Sequence, residues 1–296
     1  MTHRRDFVKQ VGLLATTACL KPELLLAAPL AYKAGLQLYT LRDYIGQDTK
    51  GVLAKVAKAG YQEVETYGYS SDKHFWGMKP AEFKAALAAN GLTTPSGHYD
   101  LGGYLRDGDE ALLDATIAAA KACGQQYLIV PYLDEKLRAT PADFRTLAAK
   151  LNKAGARCQR AGLRLGYHNH DFEFKPIGGT TLYDVLLKET DPALVAFEMD
   201  VYWVVRAGQD PIKLIKNHPK RFPLWHVKDM DKAKPDLNTE VGSGSIDYRK
   251  LMAYANPAGL KHAIMEQENF AQDAYQSIAQ SAAYMRKNLL GASKKA

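Results

Sequence analysis

Eight apolar or alternating runs fall at about 34–40, 62–67, 93–99, 127–132, 163–170, 194–201, 223–229 and 262–268, roughly thirty residues apart. Between and after them lie segments of helical periodicity at 49–59, 81–90, 110–123, 141–161, 181–189, 211–217, 248–255 and 272–289. This strict alternation constrains the fold more than any other feature. Parallel strands need helical crossovers, and a sheet of eight parallel strands loses its edges by closing. The alternation therefore predicts an α/β fold, a single (β/α)8 barrel. An open doubly wound sheet would call for a Gly-rich turn after the first strand, and Tyr39-Thr40-Leu41-Arg42 offers none. Punctuation agrees. Gly60, Gly91, Gly124, Gly162 and Gly259 follow the helical segments, and Thr140-Pro141 and Asp210-Pro211 read as capped helix starts. The longest irregular stretches, 67–79, 100–108 and 228–247, all follow strands, on the face where barrel enzymes place their chemistry.

The first thirty residues read differently. Arg4-Arg5-Asp6-Phe7-Val8-Lys9 precedes an apolar stretch at 11–20 that is too short to span a bilayer, the pattern of an export signal of the twin-arginine kind. The expected organisation is a signal segment over 1–30 and the barrel over 31–296, with export to the periplasm. Ala18-Cys19 offers a secondary reading as a lipoprotein site, and no run is long enough for a membrane span. Two of the seven net positive charges fall in residues 1–28, which leaves a mildly basic barrel without the clustered charge of a nucleic-acid binder. Cys123 and Cys158 alone remain beyond Cys19, too few to establish a disulfide framework.

The chemistry sits where the apolar runs end: Tyr167-His168-Asn169-His170, Glu198-Met199-Asp200, His226-Val227-Lys228-Asp229 and Glu266-Gln267-Glu268. Alternation along a strand puts His168 with His170, Glu198 with Asp200, and His226 with Lys228 on common faces. Two carboxylates on one face of a buried strand carry a severe desolvation cost unless they pair, protonate or bind a metal. Imidazoles and carboxylates converging from four strands point to one divalent-metal site. Asp200 is the better ligand of its strand, and Glu198 lies a layer deeper, where it could hold a basic partner. Glu266 and Glu268 would face Gln37 and Tyr39 of the first strand across the closure.

Three of these stretches, Tyr167–Phe174, Glu198–Trp203 and Trp225–Asp229, resemble the sugar phosphate isomerase/epimerase group, the xylose isomerase-like TIM barrels. So do the opening 36–42 and Val241-Gly242-Ser243-Gly244-Ser245-Ile246-Asp247. The resemblance implies a divalent ion (Mn, Co, Mg or Zn) held by Asp200, His226 and Glu266, with His168 where the group commonly carries a glutamate. It also implies proton transfer through an enediolate. Glu266, Glu173, Lys228 and His170 are the expected catalytic residues, and Gln37, Tyr39, His98, Trp203 and Glu268 the expected substrate contacts. The implied function is a metal-dependent isomerase or epimerase of an unphosphorylated sugar or keto-sugar, working without nucleic acid and with self-association left open. The His-containing fifth strand looks closer to the branch with inosose dehydratase, which makes a lyase acting on a keto-sugar, keto-inositol or 3-keto-glycoside the alternative. A sugar-binding barrel without catalysis is a third reading, with Tyr67, Tyr69, Phe75, Trp76, Tyr99, Tyr104, Tyr202 and Trp203 as its cleft. Abasic-site endonucleases share a related barrel, but the mild charge and the export signal speak against that activity.

Overall fold

The computed structural model describes residues 32–291, so the signal expected over 1–30 and the terminal Lys294-Lys295 lie outside the described residues. All eight runs contain strands: β1 (Ala34–Gln37), β2 (Glu63–Thr66), β3 (Thr93–His98), β4 (Tyr127–Val130), β5 (Arg164–His168), β6 (Val195–Asp200), β7 (Leu224–Val227) and β8 (His262–Met265). They form a closed parallel barrel in sequence order, with β8 returning to β1 through Ala34↔Ala263 and Leu36↔Met265. Among the described residues no helix is long and apolar enough to cross a membrane.

Most strands end earlier than the apolar runs, and side-chain chemistry explains two of the endings. The Gln37 side chain accepts the Tyr39 N–H and starts a 3-10 turn, Leu38–Leu41. Asp200 accepts the Trp203 N–H and caps a helix, Val201–Arg206, in a stretch where the sequence shows no helical segment. Capping satisfies an orphan donor of the new helix and outweighs the β preference of Val201-Tyr202-Trp203. The outer helices follow the expected punctuation. Helix Pro141–Arg160 starts with a capping box between Thr140 and Asp143 and lays Phe144, Leu147, Leu151, Ala154 and Cys158 on the sheet. Burying a leucine there is worth about 2 kcal/mol, so Leu151→Ala would loosen this face. Gly124 ends helix Glu110–Cys123 at φ 81°, a conformation that costs a glycine little.

Two cores result. The larger lies between strands and helices, and Cys123 and Cys158 are buried within it. The smaller fills the barrel: Tyr127, Ile129, Ala196, Leu224 and Ile264. Gly166 makes room for it, since a Cβ there would lie 2.3 Å from Ile129 Cδ1. This apolar plug closes the lumen from below. Inward positions nearer the strands' C-terminal ends are polar instead: Gln37, Glu65, His98, His168, Glu198, Asp200 and His226. Register sets their heights, with His168 opposite Glu198 and Asp200 opposite His226.

Candidate metal centre and cavity

At the upper end of the lumen, four groups expected as ligands come together. Asp200 Oδ2 lies 3.9 Å from His168 Nε2 and 3.8 Å from His226 Nδ1. His226 Nδ1 in turn lies 3.3 Å from Glu266 Oε2. Asp200 is held from two sides, because its Oδ1 accepts the Trp203 N–H and Asn169 brackets its backbone N–H and carbonyl. Its Oδ2 is buried without a hydrogen-bond partner. An orphaned buried carboxylate oxygen is costly, and mixed imidazole and carboxylate donors suit a divalent transition ion. The residues present fit such an ion, with His168, Asp200, His226 and Glu266 as its holders.

Behind the two imidazoles lies a second layer. His168 Nδ1 is 3.1 Å from Glu198 Oε2, and His226 Nε2 is 2.7 Å from Glu65 Oε1. His98 Nε2 bridges the same two carboxylates at 3.0 and 2.7 Å. Burial would raise Glu65, but the charge on His98 and the hydrogen bonds from His226 and His98 hold it well below the usual carboxylate range. Glu198 is lifted to about 7 by burial and by the charge of Glu65. His98 is driven the other way. Against burial, the two carboxylates raise it to about 9.

Lys228 sits beside Glu266 Oε2 at 3.2 Å and pairs with Glu268. It is buried, yet the charges of Glu266 and Asp200 overcome that burial and keep its ammonium charged. Glu266 stays ionised, because Lys228 and His226 outweigh its desolvation. Burial lifts the Asp200 carboxyl to about 6. His170 is pushed down to about 4 by burial and the nearby Lys228 charge, so it is neutral, and its Nδ1 has no partner.

A cavity of about 350 Å³ opens over this centre, lined by Tyr39, Tyr67, Tyr69, His98, Asp100, Tyr132, His168, His170, Trp203, Glu266 and Glu268, with Gly68 and Pro131. Tyr39 and Tyr132 form its exposed lip, and Trp203 and His170 face each other at 5.4 Å between ring centres. No lysine or arginine lines it, and three carboxylates do.

Several expected residues have other places. Gln37 is fully buried and spends its amide on Glu65 and the Tyr39 N–H, out of reach of the cavity. Glu173 also does not line it. Its oxygens accept the Tyr167 hydroxyl and the His170 N–H, both at 2.8 Å, so it fixes the turn that carries His170. His98 reaches the cavity with its ring, but its Nε2 is taken by Glu65 and Glu198. Asp229 turns away from Lys228 and accepts four backbone N–H groups, from Met230, Gly242, Gly244 and Ile246. That explains the Val241–Asp247 motif, since a Cβ on Gly244 would lie 2.2 Å from Asp229 Oδ1. Of the eight aromatics read as a cleft, Tyr67, Tyr69 and Trp203 line the cavity, whereas Phe75, Tyr99, Tyr104 and Tyr202 are buried in packing and Trp76 is partly buried against the core. The residue that sequence reasoning missed is Glu65. Glu63-Val64-Glu65 carried the same signal as Glu198-Met199-Asp200, two carboxylates alternating in a buried run.

The sequence profile of the xylose isomerase-like TIM barrel matches residues 53–288. The inosose dehydratase of Clostridium perfringens is 32% identical over 110 residues, 37% of this chain and 36% of that protein. The match thus spans about a third of that relative's length. The inosose dehydratase of Lacticaseibacillus casei is 24% identical over 226 residues, 68% of this chain and 75% of its own. Among solved structures, a sugar phosphate isomerase/epimerase from Parabacteroides distasonis superposes with a TM-score of 0.76 at 28% identity, covering 88% of this chain and 95% of that one. With eight parallel strands closed around a His/Asp/Glu centre and the profile covering most of its length, this chain belongs to the xylose isomerase-like TIM-barrel family.

Proposed function

We propose that this protein is a divalent-metal-dependent, sugar-modifying enzyme that moves the proton beside a carbonyl of an unphosphorylated sugar or keto-sugar, as an isomerase or epimerase. The observation that carries this reading is the orphaned Asp200 Oδ2 surrounded by His168, His226 and Glu266 at the floor of the cavity. A divalent ion bound there would supply Lewis-acid polarisation of a substrate oxygen. The rest of the chemistry belongs to side chains. Lys228 does not line the cavity, but, kept charged and fixed by Glu266 and Glu268 just beneath the lining, it would add positive charge under the place where negative charge develops. His170, neutral and lining the cavity, would accept and return the proton. Glu266, ionised and at the cavity floor, would help to hold the ion. Trp203, Tyr67 and Tyr132 provide flat apolar faces for a sugar ring. Three carboxylates at the lining and no guanidinium or ammonium there disfavour a phosphorylated substrate.

Elimination is the second reading. It is favoured by His168 standing where a carboxylate would provide a second base, and by the likeness to two inosose dehydratases. Elemental analysis of purified protein comes first, followed by incubation with keto-sugars and 3-keto-glycosides in deuterated water. Deuterium in recovered sugar supports isomerisation or epimerisation. An unsaturated product absorbing in the near ultraviolet supports elimination. Protein that holds no ion even after incubation with manganese, cobalt or zinc, and that binds sugar regardless of chelator, would favour a sugar-binding barrel.

A further inference from the structure

Two groups of side chains in this barrel have the composition of a cation site. Asp200, His226 and Glu266 form one, and His98, His168, Glu198 and His226 form the other one layer deeper. Both share His226, so the chemistry must decide which side of the ring faces an ion.

We infer that the cation binds only on the cavity side, and that Glu65, His98 and Glu198 form a closed ionic clamp that fixes the ring orientation and proton position of His168 and His226 from behind. The inference rests on the metal reading above and goes beyond it by assigning three positioning residues. Each imidazole is gripped by its far nitrogen, His168 through Nδ1 and His226 through Nε2. A carboxylate accepts, so the far nitrogen of each ring carries a proton. The near nitrogens, His168 Nε2 and His226 Nδ1, face Asp200 Oδ2 at 3.9 and 3.8 Å, and any proton that His226 Nδ1 shares with Glu266 Oε2 at 3.3 Å is the one an arriving ion would displace. The inner contacts, from 2.7 to 3.3 Å, are hydrogen-bond distances between groups sharing protons. An ion placed among them would have to displace those protons and leave both rings without any while they served the outer site.

The clamp is itself braced. His98 bridges the two carboxylates and stacks on the His226 ring, with centroids 5.3 Å apart and an interplanar angle of 11°. Gln37 donates to Glu65 Oε1 at 2.7 Å while its own oxygen is held by the Tyr39 N–H. No lysine or arginine contacts Glu65 or Glu198 among the described residues, so the imidazolium of His98 is the cation that makes two buried carboxylates tolerable. Removing one carboxylate should release one ring without emptying the site, and removing His98 should loosen both.

The test uses cobalt(II) as the probe on the purified full chain, with affinity from competition against a chelating indicator and ligand geometry from the visible d–d spectrum. Stoichiometry comes from elemental analysis. We expect about one ion per chain in the wild type. Glu65→Gln and Glu198→Gln should each lower affinity about tenfold to a hundredfold, the range for lost ligand-orienting partners, with altered spectra and unchanged stoichiometry. Glu65→Asp should recover part of the loss. Glu63→Gln, on the same strand but below the apolar plug, should change nothing. Circular dichroism identifies any variant that fails to fold, and the glutamines, close in shape to the glutamates, serve in place of alanines. Two ions in the wild type with one lost in Glu198→Gln would make the inner layer a metal site and overturn the clamp. Unchanged affinity and spectra in both glutamine variants would also overturn it while leaving the outer site intact. A wild type that binds no cobalt would sink the metal reading and the clamp together.

Discussion

Glu63 and Glu65 lie two residues apart on β2, both point into the barrel, and they have opposite fates. Glu63, at the lower end, makes a plain pair with His262 at 2.8 Å and a looser one with the exposed Lys33 at 3.6 Å. Every polar atom of that lower pair is partnered or reaches solvent. Glu65, above the apolar plug, is sealed from water and shares protons with two imidazoles and an amide. Its layer leaves Glu65 Oε2 and Glu198 Oε1 unpartnered, and Asp200 Oδ2 above them is unpartnered too. The same residue types thus make a simple ion pair at one end and an over-supplied donor set at the other. The difference is where they lie, at the bottom rim or sealed beneath the cavity. Of these oxygens, Asp200 Oδ2 lies on the cavity side of the two imidazoles, where a group from outside can reach it, whereas the two glutamate oxygens lie behind them.

The largest effect should come from emptying the upper centre. Asp200→Ala with His226→Ala is expected to abolish bound metal by elemental analysis and to cut turnover at least about a thousandfold, the upper range for losing preorganised charge stabilisation. Metal retained by that double variant would break the contrast between the two ends. Next is Lys228→Met, expected to lower turnover about a hundredfold or more while metal content persists, which separates the ammonium from the ion site. Tyr132→Ala at the lip should raise KM about fivefold, as expected for about 1 kcal/mol of ring contact, with kcat nearly unchanged in initial-rate measurements.

A smaller effect concerns Glu173, which burial lifts to about 8. A carboxyl raised above its unfolded value binds more protons when folded, so its contribution to stability is full below the ordinary glutamate range and is lost as pH rises toward about 8. Melting curves of the wild type should therefore fall across that window, and Glu173→Gln should flatten the fall. A variant with the wild-type slope would show that the carboxyl is ionised and held by its Tyr167 and His170 bonds. The smallest effect is expected at the lower end. Glu63→Gln keeps a hydrogen bond to His262 and should cost about 1 kcal/mol or less, a melting shift of a few degrees, with no change in metal content.

Much of this was legible in the chain. Eight apolar runs at thirty-residue spacing specify eight buried parallel strands, because hydrophobic period, helix caps and glycine stops are local properties with few compatible architectures. Alternation also assigned His168, Asp200 and His226 to inward positions, since side-chain direction along a strand follows from backbone geometry alone. Only the tertiary structure decided which inward groups meet. Glu65 joins His226 across 161 residues, and Gln37, expected at the substrate, is drawn below the cavity by Glu65. Glu173, expected beside the reaction, turns toward Tyr167, because a short turn can aim a carboxylate at either face of the strand end. Asp229 was placed by the four N–H groups of a loop that had no period to read. Strand pattern fixes direction and height. Partner choice depends on register around a closed barrel and on which buried charges satisfy one another, and those energies belong to the assembled molecule.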